Sequence, residues 1–385
     1  MAKILITGAA GFIGGNFARY MAEKHPDYEI VGLDNLSPYS CRANIQDLED
    51  KGALRLCVAD ICDLPRMESL YRQEKFDFVV NFAAESHNDR AVLDPTKFAL
   101  VNALGAQSLL EASRRVGVGR HVHVSTVEVY GEQPDGAACF TEASPLNAKT
   151  PYSAAKAAGD LLVRAYMQTY RRMDICLTHC VNNYGPRQLP EKLIPLCITN
   201  VLEGKRVPLY GDGLQVRDWV HVLDHLRAID LVLHRPGKFE FGPGAAAHAE
   251  ELPIFDISAR RPAANREIVQ LVLTALGKSD FDSWIQYVED RPNHDRQYLI
   301  DPAKIERQLG FAPVVSLETG LAQTVQWYVD NESWRRSVLA RSPGLQINWS
   351  STNVAGLTSV RTCAAAMQQP KANPSRRELL GPARA

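Results

Sequence analysis

Tyr152 and Lys156, in the stretch PYSAAKAAGD, are spaced one helical turn apart, so a helix there presents both on one face. A phenol at its ordinary pKa of about 10 is a poor base at neutral pH, and a neighbouring ammonium lowers that value by favouring the phenolate. One Tyr and one Lys on a helix are by themselves ordinary surface chemistry. Thr126, at the end of the run HVHVST, raises the pair above that, because its hydroxyl could bond the same substrate oxygen as Tyr152. The strand end itself is unusual. In HVSTVEVYGE an apolar Val127 and then an acid, Glu128, stand where the strand should open into a loop. The β-branch of Val127 suits strand packing, whereas Glu128 is a candidate for proton transfer.

A second constellation points to a dinucleotide. TGAAGFIG places Gly8, Gly11 and Gly14 three apart between a strand and a helix, with Phe12 and Ile13 in the same turn. Small residues let the backbone approach a pyrophosphate, and the helix start offers unpaired N–H groups to it. Asp34 follows Gly14 by about twenty residues, at the end of the second strand, where a carboxylate accepts from an adenosine ribose. A carboxylate there repels a 2'-phosphate, so NAD is expected rather than NADP, with Asn35 beside it. Asp60 and Ile61, after the third strand, are placed to flank the adenine. Ala83 and Ala84, after the fourth, let the cofactor pass closely, and Lys156 can also bind the nicotinamide ribose. Ser86, His87, Asp89 and Arg90 come next, where the crevice of an open sheet binds ligands. Ser86 and His87 are expected near the substrate; Asp89 and Arg90 serve equally well as a structural pair.

The elements that must position these groups alternate. KILIT, YEIVGLD, LRLCVAD, FDFVVNFAA, HVHVST and DICLTHCV read as strands, separated by stretches of helical period. Asp63 is an expected N-cap with Pro65 in the first turn, and one long helix is expected from Pro95 to Arg115. The fold class is therefore α/β, a doubly wound parallel Rossmann sheet with a smaller C-terminal substrate-binding subdomain. We place the nucleotide-binding domain at 1–181 with a return segment about 218–235, and the substrate subdomain at 182–217 and 236–334. FGPGAAAHAEEL reads as a flexible insertion, and 335–385, rich in Ser, Ala and Pro, as a disordered tail.

Bulk properties exclude several classes. The chain has 385 residues and a formal charge of -1, which gives no basic surface for nucleic acid or an anionic membrane. No apolar run approaches a membrane span, and the N-terminus begins on a strand pattern without a signal-peptide layout, so a cytoplasmic protein is expected. Eight cysteines lack a framework spacing, and Cys176 with Cys180 has no second pair, so no metal is expected.

The glycine triplet, STVEVYG, PYSAAK, NNYGP and VRDWVHVLDH together resemble the extended short-chain dehydrogenase/reductases that act on nucleotide sugars. Within them, AAESHNDR, NNYGPRQLPEKLIPL, RDW and EDRPNHDRQYLID are most similar to the dTDP-glucose 4,6-dehydratases, over roughly residues 1–330. The resemblance implies NAD as a recycled cofactor, Tyr152 as the base at the sugar 4-hydroxyl, and Glu128 as the base at carbon-5. It implies an aspartate before that glutamate as the acid for the departing 6-hydroxyl; here that position is Val127. It implies substrate contacts at Asn183, Lys192, Arg217, Arg291 and His294 with a nucleotide-diphosphate sugar, and a homodimer. Asp256, in FDISA, stands where the family carries an asparagine in a substrate-side turn. Loss of a positioned acid costs about 10²- to 10⁴-fold in its step. Three outcomes follow: a 4,6-dehydratase in which Glu128, its pKa raised by an apolar neighbour, acts as base and then acid; an epimerase, 5,6-dehydratase or uronate decarboxylase using the same 4-oxidation; or a catalytically inactive NAD-binding sensor.

Overall fold

Short apolar strands alternating with helices can bury both faces of a sheet only if the strands run parallel and the helices cover each side. A computed structural model of the chain, which describes residues 1–238 and 252–341, has this arrangement. The strands are β1 (Lys3–Thr7), β2 (Glu29–Asp34), β3 (Arg55–Val58), β4 (Phe78–Asn81), β5 (Arg120–Thr126), β6 (Ile175–Cys180), β7 (Asn182–Tyr184), β8 (Val207–Tyr210), β9 (Val216–His221), β10 (Ile254–Ile257), β11 (Pro262–Ala264) and β12 (Ile285–Val288). Seven of them form one sheet in the order β10-β6-β5-β4-β1-β2-β3, with every pair parallel. The doubly wound parallel sheet read from the sequence is borne out. The chain leaves β1 in one direction to β2 and β3, then crosses to β4 on the other side. That reversal opens a crevice at the carboxyl ends of β1 and β4.

The sheet has one strand more than the alternation suggests. β10 comes from within the stretch assigned to the substrate subdomain, and pairs with β6 from Ile254 opposite Leu177 to Ile257 opposite Cys180. Its four residues are all buried, and it covers an edge that would otherwise expose unpaired backbone. The remaining strands make two small sheets, β11-β9-β7 and β12-β8. These pack with helices Leu193–Leu202, Asn265–Ala275 and Leu317–Asp330 around a second core that includes Tyr184, Trp219, Val272, Leu321 and Tyr328. A last helix, Glu332–Arg341, carries Trp334 into this core, so ordered structure continues beyond the start expected for the tail. The stretch read as a flexible insertion lies outside the described residues except for Leu252, as does the tail beyond Arg341.

Two local features set the site. The Pro95–Arg115 stretch is not one regular helix: α-helical turns at Pro95–Ala99 and Ala106–Val116 flank a π-helical segment, Leu100–Gly105. Within that segment Asn102 takes hydrogen bonds to and from the backbone of Glu85, pinning the loop after β4. The carbonyl of Asn102 also lies so close to the Pro151–Thr169 helix that a Cβ at Gly159 would fall 2.5 Å from it. The turn after β1 is as tight. Gly8 has φ +66°, and a Cβ at Gly14 would lie 2.2 Å from the Gly8 carbonyl oxygen. The glycine at 14 is thus required by the turn itself. Gly14→Ala is expected to destabilise the protein by about 1–3 kcal/mol, seen as a lower midpoint in thermal or urea unfolding; an unchanged midpoint would show that the turn can spread.

Candidate active site

A cleft of about 310 Å³ opens at the carboxyl edge of the main sheet. Its floor is the turn after β1, with Gly8, Gly11, Phe12, Ile13 and Gly14. One wall carries Asp34 and Asn35 after β2, Asp60 and Ile61 after β3, and Ala83 and Ala84 after β4. Asp34 is fixed by the backbone: Ala10 N–H donates to Oδ2 at 3.0 Å and Leu36 N–H to Oδ1 at 2.8 Å. Burial raises its pKa, and these donors act against the rise. The glycine turn and the second strand end are therefore one hydrogen-bonded unit. Every residue that the sequence places around a dinucleotide lines this cleft. The fit is physical as well: at Gly11 the nearest atom to an added Cβ is the Gly8 carbonyl oxygen at 3.1 Å, so a side chain would crowd the turn.

The opposite wall brings Thr126, Glu128, Tyr152 and Lys156 together. Tyr152 and Lys156 sit on the Pro151–Thr169 helix, which starts in a capping box: the Thr150 hydroxyl accepts from Ser153 N–H and the Ser153 hydroxyl from Thr150 N–H. Lys156 is 4% exposed, and its Nζ donates to the Val124 carbonyl at 2.9 Å. Burial lowers its pKa, and the charge of Asp160, one turn further on, opposes that. Tyr152 behaves differently from the sequence expectation. Burial, and then the Glu128 carboxylate, push its phenol well above its ordinary value, and a hydrogen bond from Thr126 draws it back only in part. Lys156, one of whose three donors goes to Val124, is not among the groups that draw the phenol down. Val127 is 1% exposed, packs in the main core and does not line the cleft, while Glu128 does.

Behind this wall lies a buried network that sequence reasoning missed. His179 on β6 bonds through Nε2 to Asp160 Oδ2 at 3.1 Å and through Nδ1 to Asp256 Oδ1 at 2.9 Å. Tyr130 O–H donates to the same Asp256 oxygen at 2.9 Å. Burial works against a charged ring, but the hydrogen bonds and charges of Asp160 and Asp256 outweigh it and raise the His179 pKa to about 9. Asp256 is thus not on the substrate side; β10 points it into the core opposite His179. Only the strand pairing shows this, and no local pattern in FDISA signals it.

The expected substrate contacts divide. Ser86, Asn183 and Lys192 line the cleft, and Lys192 Nζ donates to the Ser86 carbonyl at 2.6 Å. Burial pulls the Lys192 pKa down to about 8 against the pull of Glu128. His87, Arg217, Arg291 and His294 lie outside the cleft wall. Burial and the Lys192 charge push the His87 imidazole far below its ordinary pKa. Arg217 donates to the carbonyls of Val216, Asp295 and Arg296, and His294 bonds Asp290 at 2.6 Å. Asp295 between them is raised to about 6 by burial and by Glu128. Asp89 and Arg90 do not pair with each other: Asp89 accepts from Tyr210 O–H at 2.8 Å, whereas Arg90 meets Glu191 and stacks 3.2 Å from the Tyr39 ring centre. Among the described residues one cluster has metal-ligand chemistry, His25, Asp230 and His234, away from the cleft. There the Lys24 ammonium and both imidazoles already meet the Asp230 carboxylate.

The sequence matches the family model described as GDP-mannose 4,6 dehydratase over residues 5–324. A dTDP-glucose 4,6-dehydratase from Streptomyces griseus is 44% identical over 333 residues, 86% of this chain and 95% of the relative. Among solved structures, a dTDP-glucose 4,6-dehydratase from Streptomyces venezuelae with NAD bound is 43% identical, with a TM-score of 0.79 over 87% of this chain and 99% of its own. A UDP-glucose 4-epimerase from Thermotoga maritima is also similar, at 28% identity and a TM-score of 0.75 over 86% and 99%.

The buried network makes a pH prediction. The folded pKa of His179, about 9, lies above its ordinary value. Its contribution to stability is therefore fully present below about pH 6.5 and is lost as pH rises through about 9. The melting temperature should fall on that alkaline limb, and fall less steeply in His179→Gln, which has no proton to lose there. At neutral pH His179→Leu should cost about 3–5 kcal/mol, because Asp160 and Asp256 are left buried without their cation. A flat wild-type profile from pH 7 to 10 would rule out a charged His179.

Proposed function

The chain belongs to the GDP-mannose 4,6-dehydratase family, and from that premise we propose that it is an NAD-dependent nucleotide-sugar 4,6-dehydratase. Its substrate is an NDP-hexose of the dTDP-glucose kind, and its path runs through a 4-keto sugar. The observation that carries the reading is the convergence of Thr126, Glu128, Tyr152 and Lys156 on one wall of a cleft whose floor and far wall are the glycine turn and Asp34.

Gly8, Gly11, Phe12, Ile13, Gly14, Asp34, Asn35, Asp60, Ile61, Ala83 and Ala84, with Tyr152 and Lys156, hold NAD in this reading. When bound, NAD supplies a hydride acceptor and donor and a positively charged ring, the charge that the isolated Tyr152 phenol lacks. Thr126 and Tyr152 take the sugar 4-hydroxyl, with Tyr152 receiving its proton. Glu128 removes the proton on carbon-5, which the adjacent ketone acidifies. Since Val127 is in the core, Glu128 also protonates the departing 6-hydroxyl, acting as base and then as acid. A single site that keeps water out protects the intermediate enone from side reactions.

The diphosphate falls to Asn183 and Lys192 on the cleft wall, with Ser86 near the hexose. Arg217 and Arg291 lie outside that wall, and guanidinium groups there favour a diphosphate, whereas burial holds the His87 and His294 imidazoles below their ordinary pKa, so these two serve as neutral hydrogen-bonding groups. The domain division is 1–181 with 218–235 for the nucleotide and the remainder to residue 334 for the sugar, β10 excepted. No helix among the described residues is long and apolar enough to cross a membrane, which fits a cytoplasmic placement. A homodimer is the assembly that fits the exposed Leu100, Leu104 and Leu161, on neighbouring helices that pack together.

Incubation with a panel of nucleotide hexoses in deuterated water, followed by proton NMR, tests the reading. A new methyl signal with deuterium at carbon-5 is expected. An exocyclic alkene would mean 5,6-elimination instead, and no turnover of any sugar by NAD-loaded protein would sink the enzyme reading in favour of a sensor. Glu128→Gln should still form the 4-keto sugar but lose the methyl product by about 10²- to 10⁴-fold.

A further inference from the structure

Glu128 is held from one side. Asn88 Nδ2 donates to Glu128 Oε2 at 3.0 Å, and Asn88 Oδ1 accepts from Thr150 O–H at 3.1 Å. Among the described residues no hydrogen bond reaches Glu128 Oε1. The orientation of the amide is fixed by chemistry: a carboxylate only accepts, so the NH2 group must face Glu128 and the carbonyl must face Thr150. Thr150 is also the cap of the helix that carries Tyr152 and Lys156. A continuous chain of hydrogen bonds therefore links Glu128, Asn88, Thr150 and the start of that helix. Asn88 itself does not line the cleft.

We propose that Asn88 is a positioning residue that pins Oε2 of Glu128, so that Oε1 serves the sugar twice, first as base and then as acid. The proposal rests on the dehydratase reading above. A carboxylate that must both take and give a proton needs one oxygen kept facing the substrate through both protonation states. An amide donor suits this, because it does not titrate and its N–H bonds either a carboxylate oxygen or the carbonyl oxygen of the acid. In the cycle the C5–H bond breaks and its proton goes to Oε1. The electron pair forms C5=C6 as the C6–O6 bond breaks, Oε1 gives that proton to O6, and water leaves. Solvent then reprotonates Glu128, which returns a proton to carbon-5; reduction at carbon-6 is the cofactor's part. With Val127 in the core, Asn88 is the polar neighbour that fixes the geometry of the remaining acid–base group.

The test uses the NAD-loaded full chain with Asn88→Leu, which is close in volume but has no donor, and Asn88→Asp, which keeps the shape. Oxidation at carbon-4, followed by cofactor absorbance on adding sugar, should stay within about twofold of wild type in both, with an unchanged KM. Deuterium entry at carbon-5 and methyl formation should fall by about 10²-fold, the size of effect expected when a reacting group is misplaced by an ångström. Asn88→Asp should also move the acid limb of the exchange-rate profile to higher pH, since a like charge beside Glu128 favours its protonated form. A second readout needs no sugar: isotope-edited infrared spectra, with the Glu128 band assigned by its loss in Glu128→Gln, should show the carboxylate stretch shifted in Asn88→Leu. Wild-type rates of carbon-5 exchange in Asn88→Leu, or an unmoved Glu128 band, would overturn the proposal. If wild type oxidises no nucleotide sugar, the functional reading fails instead, and the infrared band still decides whether Asn88 holds Glu128.

Discussion

The wall of Thr126, Glu128, Tyr152 and Lys156 depends on keeping one buried cation charged. Lys156 is buried at the end of β5, and burial alone favours its neutral form. Two things oppose that: the Val124 carbonyl that accepts a hydrogen bond from its Nζ, and the carboxylate of Asp160 one turn along the same helix. Asp160 is itself buried, so it needs a cation in turn, and His179 supplies it. His179 needs a second anion to remain charged, and Asp256 on β10 supplies that. The requirement to neutralise one ammonium thus passes through the sheet from β5 to β6 to β10. It gives an electrostatic reason, beyond edge coverage, for the seventh strand to join the sheet where it does.

In the proposed reaction this arrangement also divides labour between Tyr152 and Glu128. Tyr152 stands with its phenol pushed up by burial and by Glu128, so in the proposed reaction it depends on positive charge beside it to act as a base. Glu128 is held in place by a hydrogen bond to one of its oxygens. The first group is governed by charge and the second by geometry, and each has its own support: the Asp160 network behind one, the Asn88–Thr150 bridge beside the other. Both supports meet on the same helix, which Thr150 caps and whose third turn carries Asp160.

Much of this was legible because it is local. The glycine turn, the carboxylate closing β2 and the Tyr–Lys spacing are set by residues near one another in sequence, and backbone geometry alone makes their types necessary. Asp63 capping its helix belongs to the same class. The misses are contacts between distant segments. β10 is four residues long and lacks an alternating pattern, so nothing in IFDI marks it as a sheet member. Asp256 therefore read as a substrate-side residue when it is a core anion. Asn88 lies in a motif whose other residues drew attention by their chemistry, and its role exists only because Glu128 and Thr150 converge on it. The π-helical segment at Leu100–Gly105 was hidden because six residues are too few to show a change of period inside a longer helical stretch, and the close fit of Gly159 against Asn102 beside it is a tertiary contact.

Val127 draws these lines together. An aspartate at this position would sit in the main core, where an unpaired carboxylate is costly, unless the turn rotated it into the cleft. Valine there fixes the Val127–Tyr130 turn by packing, and Tyr130 from the same turn reaches Asp256 in the buried network. The residue that removes a proton donor from the cleft therefore also anchors the segment that joins the cleft wall to its electrostatic support. Next to Val127 the turn offers the cleft a different carboxylate, Glu128, and the Asn88 bridge holds one oxygen of that group.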